Sequence, residues 1–267
     1  MDFTLKTYTK LVDALINAGY EFITFEKYCN GIRPHKFIIM RHDVDELAKN
    51  AVKLATIENS RDIRATYFFR IVPQSNVKEV INKIVSLNHE IGYHYEDLSI
   101  YNGNYQKAIE SFKENLTYFR TYYPVKTVCM HGSSYSKYDN RLLWQKYRLQ
   151  DFGLIGEPYI TVDFDKVYYL TDTGYAWDGS NKYATRDIVK SSHNISFHRT
   201  NEIIYAINTG KFPLQCMILI HTVWSDNPLH MFLNMREFIR NRVKYISRHN
   251  KFVAFLYNTA VKAYWRI

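Results

Sequence analysis

The stretch FIIMRHDVDE, Phe37–Glu46, decides the fold because an apolar run passes directly into Arg41, His42, Asp43 and Asp45. An isolated buried charge costs much free energy, so such groups are normally paired, bound to a metal or hydrated. Two neighbouring carboxylates also repel each other unless a cation lies between them. The stretch therefore predicts a buried strand that ends in a functional group of charges.

The rest of the chain alternates short apolar runs with helical patterns, which is typical of a parallel sheet with crossover helices. The predicted strands are KFIIMRHD, ATYFFR, EIGYHYE, TVCMHGS, VYYLTDT, NISFHRT and CMILIHTVW. Seven such strands predict an α/β barrel, formed by a single domain that covers residues 1–267. The segment around 155–172 is predicted to be a β-hairpin insertion that turns at Asp163–Lys166.

The composition limits the partners and the location. The net charge of +9 favours anionic partners, and much of it lies in Arg236–Lys251. The three cysteines are widely spaced and form no CxxC motif, which argues against a zinc ribbon or a disulfide framework. The first 20 residues contain no long apolar region, and no apolar run is long enough to span a bilayer. We expect a cytoplasmic protein that is able to associate peripherally with a membrane.

Ionisable side chains recur where the predicted strands end. The carboxyl ends of parallel barrel strands lie on one rim, which carries the active site. The strand-end residues are Asp43, Asp45, Arg70, His94, Glu96, His131, Asp172, His198 and His221. Because side chains alternate across a strand, Arg41, Asp43 and Asp45 share one face and His42 lies on the other. We interpret His42 as a hydrogen-bonded structural histidine under a helix.

Asp45 and His94 are candidate metal ligands, together with a third donor from another strand end. Imidazole nitrogen and carboxylate oxygen suit zinc, and also cobalt, iron or nickel. Asp43, on the same face as Asp45, is placed to act as a general base. The alternative is purely structural, with the two aspartates paired to Arg41 and Arg70.

The motifs RHDVD, HEIGYHYE and the late ILIH resemble the polysaccharide deacetylase (NodB-homology) family. The strings MHGSSYSKYDNR and ILIHTVW are similar to a divergent branch of it, and the resemblance runs from about Phe37 to Trp224. It implies a distorted (β/α) barrel, a divalent metal and hydrolysis of an N-acetyl bond on a sugar. It also implies the site roles: a catalytic base, a metal-binding aspartate, a metal-binding histidine and a general acid at Asp43, Asp45, His94 and His221.

The chain departs from the family pattern at two ligand positions. Val44 separates aspartates that are usually adjacent, and Leu98 stands where a second metal-binding histidine is expected. His131 ends the next strand and is our candidate for the third ligand; Glu96 and a water are the alternatives. His131 is also placed to hydrogen-bond Asp43 in place of a missing arginine.

Five further residues are predicted to bind substrate. Trp177 and Trp224 follow strand ends, where their aromatic faces could stack on a sugar ring, although buried lids are an alternative. His198 is predicted to point into the barrel mouth unless it is structural, and Arg41 and Arg70 complete the set.

The sequence therefore predicts a metal-dependent carbohydrate deacetylase with zinc as the favoured cofactor. The predicted substrate is a nucleotide-linked or lipid-linked sugar intermediate of surface-polysaccharide synthesis in the cytoplasm. The alternative, which Leu98 supports, is a non-catalytic glycan-binding protein on the same barrel. Nucleic acid is not expected, because acidic strand ends repel phosphate.

Overall fold

The computed structural model describes residues 2–132, 136, 138–174, 177, 187–227, 243, 246–247 and 250–264. The strands are β1 (Glu21–Ile23), β2 (Phe37–Val44), β3 (Thr66–Phe69), β4 (Glu90–Tyr95), β5 (Val128–Met130), β6 (Tyr168–Thr171) and β7 (Gln215–His221). The α-helices are α1 (Leu5–Asn17), α2 (Phe25–Cys29), α3 (Ala48–Asn59), α4 (Lys78–Ser86), α5 (Asp97–Ile100), α6 (Tyr105–Phe119), α7 (Leu143–Lys146), α8 (Pro158–Thr161), α9 (Thr200–Asn208) and α10 (Lys251–Tyr264). Two short 3-10 helices span Asn140–Leu142 and Leu149–Phe152.

All seven strands form one parallel sheet in the order β5-β4-β3-β2-β7-β6, and β1 pairs with the first half of β2. Strands β5 and β6 are the two edges, so the described strands form a curled half-barrel with helices packed around it. The predicted distorted (β/α) barrel of about seven parallel strands is therefore confirmed.

The two faces of β2 explain why an apolar strand ends in charges. Ile38 and Met40 belong to the large core between the sheet and the helices, whereas Phe37 and Ile39 belong to a smaller core inside the barrel. Side chains alternate along a strand, so the next inward-facing positions in β2 are Arg41 and Asp43. The barrel interior is thus apolar toward the amino end of β2 and charged toward the carboxyl end of that strand.

His42 faces the other way and joins a closed cluster, which we define as His42, Glu58, Tyr8 and Tyr67. The Nε2 atom of His42 lies 2.7 Å from Glu58 Oε1, and its ring stacks on Tyr67 at 4.2 Å between centroids. Glu58 also accepts hydrogen bonds from the hydroxyls of Tyr67, at 2.6 Å, and Tyr8. All four residues are buried, so the interpretation of His42 as a structural histidine is confirmed.

Gly92 allows β4 to lie close to the Phe68 ring of β3 and to Thr127, just before β5. A Cβ atom at this position would lie 2.3 Å from the Phe68 ring and 2.9 Å from the Thr127 carbonyl oxygen. Gly92 shares a strand face with His94, two residues later. Any larger residue here would push β3 or β5 away and displace the rim.

The predicted β-hairpin around 155–172 is wrong. Gly156 forms a parallel bridge with Thr127, and Pro158–Thr161 is the short helix α8. The Glu157 side chain caps α8 and a proline occupies its first turn, where proline is favoured. Only the turn at Asp163–Lys166 and the strand after it match the prediction, and that strand pairs in parallel with β7.

The strand predicted at NISFHRT is also absent, since the structure assigns no ladder to residues 187–199. A parallel strand is normally buried on both faces. Here Asn194, Ile195 and Ser196 are exposed, and only Phe197 reaches the core. The short strand β1, which the sequence did not predict, completes the sheet instead.

Candidate metal centre and active site

Four side chains from the carboxyl ends of separate strands meet at the rim, and we call Asp45, His94, His131 and His221 the open cluster. Asp45 Oδ1 lies 3.3 Å from His94 Nε2 and 3.6 Å from His131 Nε2. Asp45 Oδ2 lies 3.9 Å from His221 Nε2. Three imidazole Nε2 atoms therefore surround one carboxylate.

Each histidine of the open cluster is held through its other nitrogen. The Nδ1 atoms of His94, His131 and His221 lie 3.0 Å from the Cys129 carbonyl oxygen, 2.9 Å from Glu96 Oε2 and 2.6 Å from Asp172 Oδ1. A carbonyl oxygen can only accept, so Nδ1 of His94 donates and its Nε2 carries the lone pair when the ring is neutral. An anchored Nδ1–H with a free Nε2 is the arrangement of metal-ligating histidines.

Glu96 and Arg70 fix the position of His131. Arg70 donates from Nε and Nη2 to Glu96 Oε1, at 2.9 and 2.6 Å, while Glu96 Oε2 accepts from His131. Burial alone would raise the pKa of Glu96, but His131 and Arg70 outweigh it and lower the pKa to about 2. Glu96 is therefore an ionised acceptor that orients the imidazole. Arg70, predicted to bind substrate, is instead engaged in this ion pair.

Asp172 and Trp224 fix His221 in the same way. Asp172 is buried and accepts the backbone N–H of His221, its ring Nδ1–H and, at 2.7 Å, the indole N–H of Trp224. Burial alone would lower the pKa of His221, but the Asp172 carboxylate raises it to about 10. The Asp172 carboxylate therefore favours the protonated form of His221, and the Nε2 atom of that ring faces Asp45 at the rim.

Asp45 has the properties of an unsatisfied ligand. Its Oδ1 is buried without a hydrogen-bond partner, and no Lys or Arg side chain of the described residues forms an ion pair with it. Burial raises the pKa of Asp45, but His131 and His94 outweigh that effect and hold it below its usual range. Zinc bonds of about 2.0–2.1 Å at tetrahedral angles place ligand atoms about 3.4 Å apart, close to the two Asp45 Oδ1 distances. These two separations are of the size that a divalent ion shared by Asp45 and either imidazole requires.

Asp43 lies beside the open cluster but already has a cation. Arg41 donates from Nε to Oδ1 at 2.9 Å and from Nη2 to Oδ2 at 2.6 Å, and both residues are buried. Burial raises the pKa of Asp43, but Arg41 and His94 outweigh it, so Asp43 is ionised. Its Oδ2 is 3.3 Å from His94 Nε2. Arg41, predicted to bind substrate, orients Asp43 instead.

A second possible donor set consists of Asp43, His94 and Cys129, whose ligand atoms lie within 4.8 Å of one another. Burial raises the pKa of the Cys129 thiol well above its usual range, and Asp43 is already paired with Arg41. A metal binds the thiolate and not the thiol. The open cluster remains the candidate site, because its Asp45 Oδ1 has no hydrogen-bond partner and its three histidines are anchored through Nδ1.

Three predicted substrate-binding residues lie elsewhere. Trp177 and Trp224 are buried, pack against Phe3 and donate their indole N–H groups to Thr200 Oγ1 and Asp172 Oδ2. Neither offers a ring face to a sugar, because the helix core covers both. His198 is exposed just before α9, not at a strand end.

Sequence reasoning missed two contributors to the site. Asp172 ends a predicted strand, which was a signal, but nothing in the sequence pairs it with His221. Tyr159 gave no signal, because its segment was misassigned to a hairpin. Its hydroxyl lies 3.3 Å from Arg41 Nη2 and donates to Asp187 Oδ1 at 2.8 Å.

Within the described parts of the chain, no helix combines the length and the apolar character needed to cross a membrane.

No protein-family model and no curated protein matches the sequence. Four chains of solved structures match, and two of them are a CE4 domain and a CE4 esterase. The Xyl-CE4 domain of a multidomain xylanase from the hindgut metagenome of Trinervitermes trinervoides is 13% identical, with a TM-score of 0.38 over 77% of this chain and 82% of that chain. A Streptococcus mutans CE4 esterase is 14% identical, with a TM-score of 0.43 over 83% of this chain and 87% of that chain.

Proposed function

We propose that the protein is a metal-dependent hydrolase that removes an N-acetyl or related acyl group from a sugar. The observation that carries the proposal is the open cluster: three anchored histidines direct Nε2 at one carboxylate whose Oδ1 has no hydrogen-bond partner. Such an arrangement contributes little to stability, because burying unpaired polar atoms costs free energy. A bound cation would give Asp45 Oδ1 and the Nε2 atoms of His94 and His131 a partner.

Asp45, His94 and His131 are the residues that would hold the metal. Two nitrogen donors and one carboxylate with an open position are typical of catalytic zinc. When bound, the metal would polarise the acyl oxygen and lower the pKa of a water molecule. His131 thereby supplies the donor that Leu98, buried on α5, cannot.

The remaining residues divide the proton transfers. Asp43, kept ionised and aligned by Arg41, accepts a proton from the water that attacks the acyl carbon. His221, kept protonated by Asp172, gives a proton to the nitrogen as the C–N bond breaks. Asp43 and His221 are register partners on neighbouring strands, so their side chains lie side by side on the same face and can reach the same bond. The products are a carboxylate and a free amine.

The proposal extends to the class of substrate. The substrate we favour is a nucleotide-linked or lipid-linked sugar that is deacetylated in the cytoplasm during surface-polysaccharide synthesis. The alternative is a glycan-binding protein without turnover.

Acetate release tests the proposal. Zinc-loaded protein is incubated with N-acetylglucosamine oligosaccharides and with nucleotide-linked N-acetylglucosamine. We expect release that His221→Ala lowers by about 10²- to 10⁴-fold, as for loss of a general acid. His198→Ala is the matched control, since it removes an exposed histidine outside the cluster. Saturable sugar binding without acetate release would favour the glycan-binding alternative and contradict the proposal.

A further inference from the structure

The positive charge of this protein is concentrated at one end of the chain. Residues 236–267 contain one acidic residue, Glu237, and eight basic residues: Arg236, Arg240, Arg242, Lys244, Arg248, Lys251, Lys262 and Arg266. This segment therefore supplies seven of the nine net positive charges. The barrel residues before it are close to neutral, so the charge does not belong to the candidate active site.

The same segment exposes large apolar side chains. On α10, Phe252, Phe255 and Leu256 are 70%, 67% and 51% exposed. Residues three and four apart lie on one side of a helix, so these three form a continuous apolar stripe. Val243 and Ile246, just before α10, are exposed as well. Contiguous exposed apolar surface marks an interaction site more often than scattered apolar residues do.

We propose that α10 binds the surface of an anionic membrane, with Phe252, Phe255 and Leu256 inserted among the headgroups. Helices that bind in the plane of a membrane combine an apolar stripe containing Phe and Leu with nearby Lys and Arg residues. Each basic residue near an anionic surface strengthens binding about fivefold. Since α10 is not long and apolar enough to cross a bilayer, it lies on the membrane rather than across it.

The charge argues against the other occupants of the stripe. A second copy of the chain would bring two segments of seven net positive charges together, which repel each other. A nucleic acid would match the charge but leave the aliphatic side chain of Leu256 without a partner. An anionic bilayer offers both negative charge and an apolar layer. The inference rests on α10 and on the charge of residues 236–267, and it is independent of the proposed deacetylase activity.

Vesicle sedimentation with the full chain tests the proposal. The vesicles are phosphatidylcholine alone, or phosphatidylcholine and phosphatidylglycerol in equal amounts. We expect binding to the anionic vesicles only, and weaker binding when ionic strength rises from about 0.1 M to about 1 M, because the screening length falls from about 10 Å to about 3 Å.

Two variants locate the contact. Phe252→Ser/Phe255→Ser should weaken partitioning by about 10-fold or more, since each substitution removes a large apolar side chain that the membrane would bury. Ile188→Ser/Leu214→Ser is the matched control, because these residues are exposed outside α10. Lys251→Glu/Lys262→Glu should also weaken binding by about 10-fold or more while leaving the apolar stripe intact.

Three outcomes would overturn the proposal. One is the absence of binding to the anionic vesicles by the wild-type chain. Another is equal binding by the Phe252→Ser/Phe255→Ser variant, with circular dichroism unchanged. The third is a dimer in light scattering that the same variant dissociates, because a second copy would then occupy the stripe.

Discussion

Two histidine–carboxylate clusters lie on opposite faces of β2, and they differ in whether the carboxylate oxygens have hydrogen-bond partners. In the closed cluster, Glu58 accepts from His42, Tyr8 and Tyr67, so both of its oxygens have partners inside the core. In the open cluster, three imidazoles lie near Asp45, yet Oδ1 of Asp45 makes no hydrogen bond.

The difference lies in which nitrogen of each histidine meets the protein. In the open cluster every Nδ1 is occupied by a carbonyl or carboxylate oxygen, and the Nε2 atoms remain directed at a shared point. In the closed cluster, Nε2 of His42 is itself the atom that contacts the carboxylate. A buried carboxylate whose two oxygens are satisfied stabilises the fold, whereas one with an unpaired oxygen keeps a donor atom available for a ligand.

The largest effect is expected for Asp43→Asn. An amide cannot accept the proton from water, so turnover should fall by about 10²- to 10⁴-fold while metal content stays the same. Acetate release and metal analysis on the same preparation measure the two quantities. A variant that loses its metal would show that Asp43 is a ligand and that the two aspartates have exchanged roles.

Glu58→Gln tests the closed cluster. A hydrogen bond to a charged group contributes about 1.5–3 kcal/mol, so weakening those of Glu58 should lower the free energy of unfolding in urea by about that amount. Metal affinity should not change, since Glu58 lies on the other face of β2. A large loss of metal affinity with little loss of stability would remove the distinction between the clusters.

The stability lost in the Glu58→Gln variant should depend on pH. Burial alone would raise the pKa of Glu58, but His42 outweighs it, so the folded-state pKa lies below its usual range. Stability from this group is then full above the unfolded pKa of about 4.3 and is lost as the pH falls through the lower folded pKa. The stability gap between wild type and Glu58→Gln should shrink over that acid range. A gap that widens there would contradict the assigned charge state.

The smallest effect is expected for Glu96→Gln, which weakens the anchor of His131. Loss of such an anchor typically costs about 10- to 100-fold in metal affinity. His131→Ala removes the ligand itself and should cost more than about 100-fold. If His131→Ala binds metal at near-native affinity while Glu96→Gln does not, Glu96 is the third ligand.

The sequence predicted the parts of the site that follow from strand position. Parity along β2 correctly separated Asp43 from His42, and strand ends correctly grouped His94, His131 and His221, because a parallel sheet brings such ends to one rim. These inferences need only local spacing and the direction of the strands.

The predictions that failed depended on burial or on long-range contacts. Trp177 and Trp224 follow strands, but whether they face solvent depends on how Phe3 packs over them. Arg41 is inward-facing, as predicted, but its partner depends on how close Asp43 lies within the same buried strand. The segment predicted to be a hairpin instead contains the short helix at Pro158–Thr161, capped by the Glu157 side chain.

Zinc titration tests the central claim most directly. Metal-free wild-type chain, His94→Ala and His198→Ala are titrated by calorimetry under the same conditions. We predict one zinc site per chain, weakened by more than about 100-fold in His94→Ala, since even the loss of an anchoring partner costs about 10- to 100-fold. His198→Ala should bind as the wild type does. The absence of stoichiometric binding, or equal affinity in His94→Ala and His198→Ala, would contradict a metal centre at the open cluster.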